Sequence, residues 1–146
     1  MPTRTARTAW NGSLETGEGQ VELSSSKLAT FDVSFPKRAA DEANGATSPE
    51  ELLAAAHSAC YAMQFSALLG AAGGTVEALD VKADVTLAPD PAGGFHLSGI
   101  ALTVRGEVSG IDADTFAKAA ADAKASCPVS KALTGVDITL DAQLEA

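Results

Sequence analysis

The side chains richest in chemistry here are the two cysteines, Cys60 and Cys127. A thiolate is a nucleophile, a metal ligand and a target for oxidants. The two stand 67 positions apart, so no Cys-x-x-Cys spacing links them and only the fold can bring them together. Cys127 lies in Ser126-Cys-Pro-Val-Ser130, at the mouth of a predicted short helix, where exposed amides favour a thiolate. Cys60 has His57 three residues before it, on the same face of a predicted helix. Such a pair can act as an activated nucleophile in a thiol hydrolase or acyl transferase. Two cysteines, a histidine and a glutamate can also hold a metal, and both thiols can be inert packing. Spacing alone leaves these readings open.

Two charged residues join the candidates. Arg38 sits in the polar segment 36–47, and Glu50 stands in the first turn of the stretch that follows. A solvated loop charge and a carboxylate favourable to a helix dipole would account for them. Glu51 has a sufficient role as a helix cap, whereas Glu50 is not needed for one.

The element that must position Cys60 is the stretch 47–70. Ser48, Pro49 and Glu51 form a helix-start signal with a capping box. Beyond it the sequence is apolar nearly all round, broken only by His57, Ser58, Gln64 and Ser66. A helix apolar on every face is expected to be buried on every side. It approaches the length of a membrane span, but His57 and Gln64 interrupt it and no basic residues flank it, so a buried soluble helix is expected. Gly70, Gly73 and Gly74 close it.

Around this helix the chain alternates. Gln20–Leu23 and Thr30–Phe35 read as strands, the second ended by Pro36, and Trp10 precedes an Asn-Gly turn pair. Leu79–Leu87 has period two, Pro89–Gly94 is a hairpin loop, and Phe95–Val108 returns, bent at Gly99 and Gly106. A second helix starts at an Asp112 cap and ends near Ser126, because Pro128 pushes Cys127 out of helical geometry. A short helical piece, Val129–Leu133, and a last strand, Val136–Leu144, follow. The order β-β-β-α-β-β-α-β indicates an α+β fold with antiparallel sheets, in a single domain spanning residues 1–146.

Composition narrows the partners. The net charge of −9 argues against nucleic acid or an anionic membrane. The N-terminus shows no apolar run after its basic residues, and a cytoplasmic address is expected, where thiols stay reduced.

The stretch Ser48-Pro-Glu-Glu-Leu-Leu-Ala-Ala-Ala-His-Ser-Ala-Cys60-Tyr-Ala-Met63 resembles the central helix of the OsmC/Ohr family, the osmotically inducible protein C and organic hydroperoxide resistance proteins. Gly110–Phe116, Ala125-Ser-Cys-Pro-Val-Ser-Lys131 and Ile138–Leu144 resemble the second helix, second cysteine motif and closing strand of its OsmC branch. The resemblance implies an OsmC-like fold built as an intertwined homodimer. It implies a two-cysteine thiol peroxidase acting on organic hydroperoxides, with Cys60 peroxidatic and Cys127 resolving. Glu50 matches the glutamate of the family's Asn-Pro-Glu motif, here with Ser48 for Asn. Arg38 matches its arginine, although Arg38-Ala-Ala-Asp lacks the usual aromatic neighbour. The implied chemistry uses an external dithiol reductant, with a lipoyl-type dithiol as the candidate, and no cofactor or metal. Phe, Met and Leu near Cys60 favour alkyl or lipid hydroperoxides over hydrogen peroxide.

Ten residues separate Glu50 from Cys60, about 15 Å along a straight helix. An Arg38–Glu50 pair serving Cys60 is therefore expected to act across a dimer interface, where Ala54, Ala55, Ala56 and Ala59 allow two helices to cross closely. The alternatives remain the Cys60/His57 hydrolase and a stress-induced dimer with idle thiols.

Overall fold

The computed structural model describes residues 1–145, in two compact units, Met1–Pro49 and Glu50–Ala146. The first unit is an antiparallel meander of β1 (Arg7–Asn11), β2 (Glu18–Glu22) and β3 (Thr30–Val33). Gly12, at φ 96°, takes the left-handed turn conformation of the Asn-Gly pair.

The third strand ends at Val33, two residues before the expected Phe35. Ser34 is extended, and its side chain accepts from the Lys37 amide, capping a single helical turn, α1 (Phe35–Arg38). Pro36 falls in that first turn, where its missing N–H costs nothing. A proline read as a strand terminator is therefore also a helix initiator, and Arg38 ends a helix instead of lying in a loop.

The second unit holds most of the long helix α2 (Pro49–Ala71), then β4 (Thr75–Pro89), β5 (Phe95–Ser109), α3 (Ala113–Ser126), α4 (Pro128–Ala132) and β6 (Ile138–Glu145). The sheet order is β4-β5-β6. β4 and β5 form the expected hairpin, with register shifts at Val76/Ala78 and Thr86/Leu87. β6 runs parallel to β5, Ile100 opposite Ile138 through Glu107 opposite Glu145. The sheet is thus mixed, which corrects the expectation of purely antiparallel sheets. The α3–α4 segment is a crossover long enough to return the chain in the same direction.

The core lies between this sheet and the helices. Ile100, Leu102, Val104 and Val108 of β5 point inward. Phe116, Ala119, Ala120 and Ala123 of α3 recur at helical spacing and cover them. α2 contributes Tyr61, Phe65 and Leu69, each fully buried. The Phe65 ring meets Phe116 edge-on, centroids 5.1 Å apart. Gly106 allows the closest approach, since a Cβ there would lie 2.8 Å from the Phe116 ring. Its role is to admit that ring rather than to bend the strand.

The all-round burial expected of α2 is not found within the chain. His57, Tyr61, Phe65 and Leu69, four residues apart, form one buried stripe, while Ala55, Ala59, Met63 and Ala67 on the opposite face are exposed. By length and composition α2 could also cross a membrane. Its buried stripe is instead part of a protein core.

Candidate active site

The α3–α4 junction sets the position of Cys127. Asp112 caps α3 by accepting from the Thr115 amide at 2.8 Å, as its sequence position predicts. The helix ends at Ser126 because the following residue precedes a proline. Cys127 has φ −57° and ψ 125°, and serves as both the C-cap of α3 and the N-cap of α4. Its amide donates to the Ala123 carbonyl at 2.9 Å, and its carbonyl accepts from Lys131 at 3.0 Å. The residue is pinned by its backbone on both sides, with its side chain fully buried.

Side chains from one face of α2 fasten that helix to this junction. Tyr61 Oη donates to the Ala120 carbonyl at 2.9 Å. Gln64 Nε2 donates to Ser126 Oγ at 3.0 Å. His57 Nε2 and Ser130 Oγ lie 2.7 Å apart, both buried. Cys60 sits on the same side of the helix and brings its Sγ to 3.0 Å from Cys127 Sγ, both residues being free thiols. A disulfide S–S bond is about 2.05 Å long, so closing it requires about 1 Å of sulfur movement.

One bridging proton between these sulfurs can sit on either. Burial pushes the Cys60 thiol up, and its bond with Cys127 pushes further; only the Val129 amide opposes them. Burial also acts upward on Cys127, but is outweighed by the Ser130 amide, the Cys60 thiol, the Ser130 hydroxyl and the Val129 amide, so its net shift is downward. The donors converge on Cys127, which favours a thiolate there over one at Cys60. Burial, reinforced by the charge of Cys127, holds Tyr61 well above its ordinary value and neutral. Burial lowers His57, so it too is neutral at neutral pH.

The Cys60–His57 pair that spacing left open as an alternative is not formed. His57 Nε2 is engaged by Ser130, and among the described residues His57 Nδ1 has no hydrogen-bond partner. The histidine stands beside the other cysteine's motif. Glu50 is the second residue of α2 and is buried, 7% exposed. Arg38 is the half-buried last residue of α1 in the first unit. Among the described residues no cluster of three His, Cys, Asp or Glu has the form of a metal site.

Sequence reasoning did not single out Ser130, Tyr61 or Gln64. A signal existed for two of them. Gln64 is a polar break in an apolar helix, and Ser130 stands three residues after an N-cap position, where a helix turns its side chain back toward the cap. Nothing in the sequence marks Tyr61 as more than core.

Two thiols in contact are chemically able to act as a redox pair, since a thiol beside an oxidised sulfur can attack it. Comparison with known proteins shows the family to which the chain belongs. The profile of the family described as OsmC-like protein matches residues 41–141. The chain is 43% identical over 137 residues to peroxiredoxin OsmC of Escherichia coli (strain K12), covering 94% of this chain and 93% of that one. It is 34% identical over 126 residues to the organic hydroperoxide resistance protein OhrA of Bacillus subtilis (strain 168), covering 85% and 86%. Among solved structures, the organic hydroperoxide resistance protein OhrB of Bacillus subtilis superposes with a TM-score of 0.74 at 25% identity, covering 95% of this chain and 98% of that one. The chain belongs to the OsmC/Ohr family, with its OsmC branch the nearer of the two.

Proposed function

We propose that this protein is a two-cysteine peroxidase that reduces organic hydroperoxides to alcohols. The observation that carries the reading is the 3.0 Å contact between Cys60 and Cys127, residues 67 positions apart. The names of its relatives, a peroxiredoxin and an organic hydroperoxide resistance protein, support the same reaction class.

The reaction begins with transfer of the bridging proton from Cys60 to Cys127, which leaves Cys60 as the nucleophile. Its sulfur attacks the terminal peroxide oxygen. The O–O bond breaks, the alkoxide takes a proton and leaves as alcohol, and Cys60 becomes a sulfenic acid. Cys127, its thiolate stabilised by the neighbouring amides, attacks the Cys60 sulfur as its proton passes to the departing oxygen. The S–O bond breaks and hydroxide leaves as water. An external dithiol, of lipoyl type, reduces the disulfide by two exchanges and is itself oxidised to a disulfide.

Arg38 acts on the peroxide and the departing oxygen, and Glu50 orients its guanidinium. The working form is a homodimer in the cytoplasm, and the apolar side chains near Cys60 select alkyl or lipid hydroperoxides.

Mass spectrometry after one equivalent of an organic hydroperoxide tests the reading. The expected product has lost two hydrogens and yields a Cys60–Cys127 linked peptide. Untouched thiols would overturn it in favour of a non-enzymatic dimer. A stable Cys60 acyl adduct with activated esters, without peroxide reactivity, would mark a hydrolase.

A further inference from the structure

The proposed cycle gives no task to a fully buried histidine that bonds to the second cysteine's motif. We propose that His57 and Ser130 form a hydrogen-bond relay for the disulfide-forming step, in which His57 Nε2–H donates to Ser130 Oγ and directs the Ser130 hydroxyl hydrogen onto Cys127 Sγ. The step it serves rests on the peroxidase reading; the relay itself rests on the 2.7 Å His57–Ser130 contact and on the place of Ser130 in the helical turn that Cys127 caps.

The sense of the bonds follows from counting hydrogens. The Ser130 hydroxyl has one, and so does a neutral imidazole. If Ser130 gave its hydrogen to His57 Nε2, the imidazole proton would sit on Nδ1, which is buried without a partner among the described residues. Orphaned buried N–H groups are rarer than under-satisfied acceptors. With the proton on Nε2, only a lone pair is left unmatched at Nδ1, and the Ser130 hydrogen is free for Cys127, the N-cap residue of the short helix whose first turn holds Ser130. Both residues are buried, His57 at 0% and Ser130 at 4% exposure, so water does not substitute for either. His57 and Ser130 are positioning residues: neither touches the peroxide, and they act through Cys127.

The test reads Cys127 by its thiolate ultraviolet absorbance, in a Cys60→Ser background that removes the other sulfur. The groups facing Cys127 besides Cys60 are Tyr61 and, through Ser130, His57, both held neutral by burial around neutral pH. Ser130→Ala keeps the amide donor and removes only the hydroxyl. It is expected to raise the titration midpoint by about one pH unit, the loss of one charge-assisted hydrogen bond. His57→Leu raises it similarly, while His57→Gln, which keeps a donor near Nε2, restores most of the native value.

In chains with both thiols, the pH profile of disulfide closure after hydroperoxide moves alkaline by the same amount in Ser130→Ala. Below the native midpoint, a roughly tenfold smaller thiolate fraction is offset by roughly threefold greater nucleophilicity, so closure slows about threefold. Sulfenic acid at Cys60 then accumulates and is trapped by dimedone. An unmoved titration midpoint in a folded Ser130→Ala chain overturns the relay, as does a His57→Gln midpoint no lower than that of His57→Leu. If the midpoints shift as expected but hydroperoxide leaves the native thiols untouched, the relay stands and the peroxidase reading falls.

Discussion

A thiol with a pKa of about 8.5 is already near a tenth ionised at pH 7.5, so full ionisation of Cys60 accelerates attack by only about tenfold. Burial moves Cys60 the unfavourable way. The greater part of a peroxidase's acceleration must therefore come from orienting the peroxide and stabilising the departing oxygen. Arg38 is assigned that task, and Arg38→Ala is expected to lower the single-turnover rate of Cys60 oxidation by well over tenfold. A loss of tenfold or less would transfer the task to another donor. Cys60 and Cys127 were legible from residue type and motif. The downward shift of Cys127 was legible too, since amides at the start of α4 were expected to favour its thiolate; the upward shift of Cys60 was not, because it depends on burial and on contact with Cys127. The partner of His57 was hidden because i,i+3 spacing shows only its nearness to Cys60 along the helix, whereas its ring points across to Ser130.

Among the elements, β5 and α3 depend on each other through one contact. A methyl group at Gly106 would meet Phe116 Cε2 at 2.8 Å, Phe116 Cζ at 3.0 Å and Leu79 Cδ2 at 3.1 Å. Gly106→Ala is expected to destabilise the fold by roughly 1–3 kcal/mol, read as a lower urea midpoint. A native midpoint would mean that the Phe116 ring repacks freely. Most elements were visible in advance, since alternation marks β4, β5 and β6, and caps and prolines mark α2, α3 and α4. The direction of β6 was hidden because period two is the same for parallel and antiparallel neighbours. The helix α1 was hidden because a single turn has no periodicity, only the Ser34 cap and Pro36.

On the scale of the whole molecule, α2 leaves a question that its sequence had already raised. Its composition asks for burial all round, yet Ala55, Ala59, Met63 and Ala67 are exposed opposite the buried stripe, and Met63 is 74% exposed. A second copy of the chain, its α2 crossing this small-residue face, would cover them. Equilibrium sedimentation is expected to give twice the chain mass, and Met63→Glu to weaken the association. A native chain that stays monomeric at assay concentrations would sink the homodimer.

The short path between the sulfurs has a mechanical side. Each closure of Cys60 on Cys127 would clasp a long segment of chain into a ring, removing denatured-state freedom worth roughly 4 kcal/mol on the chain-entropy account. The clasp falls where α2 already meets the α3–α4 junction through Tyr61, Gln64 and His57, so little rearrangement opposes it. On the proposed cycle, a molecule that has met an oxidant is thus expected to be harder to unfold than one that has not. Until a reductant opens the ring, its durability is a memory of the encounter.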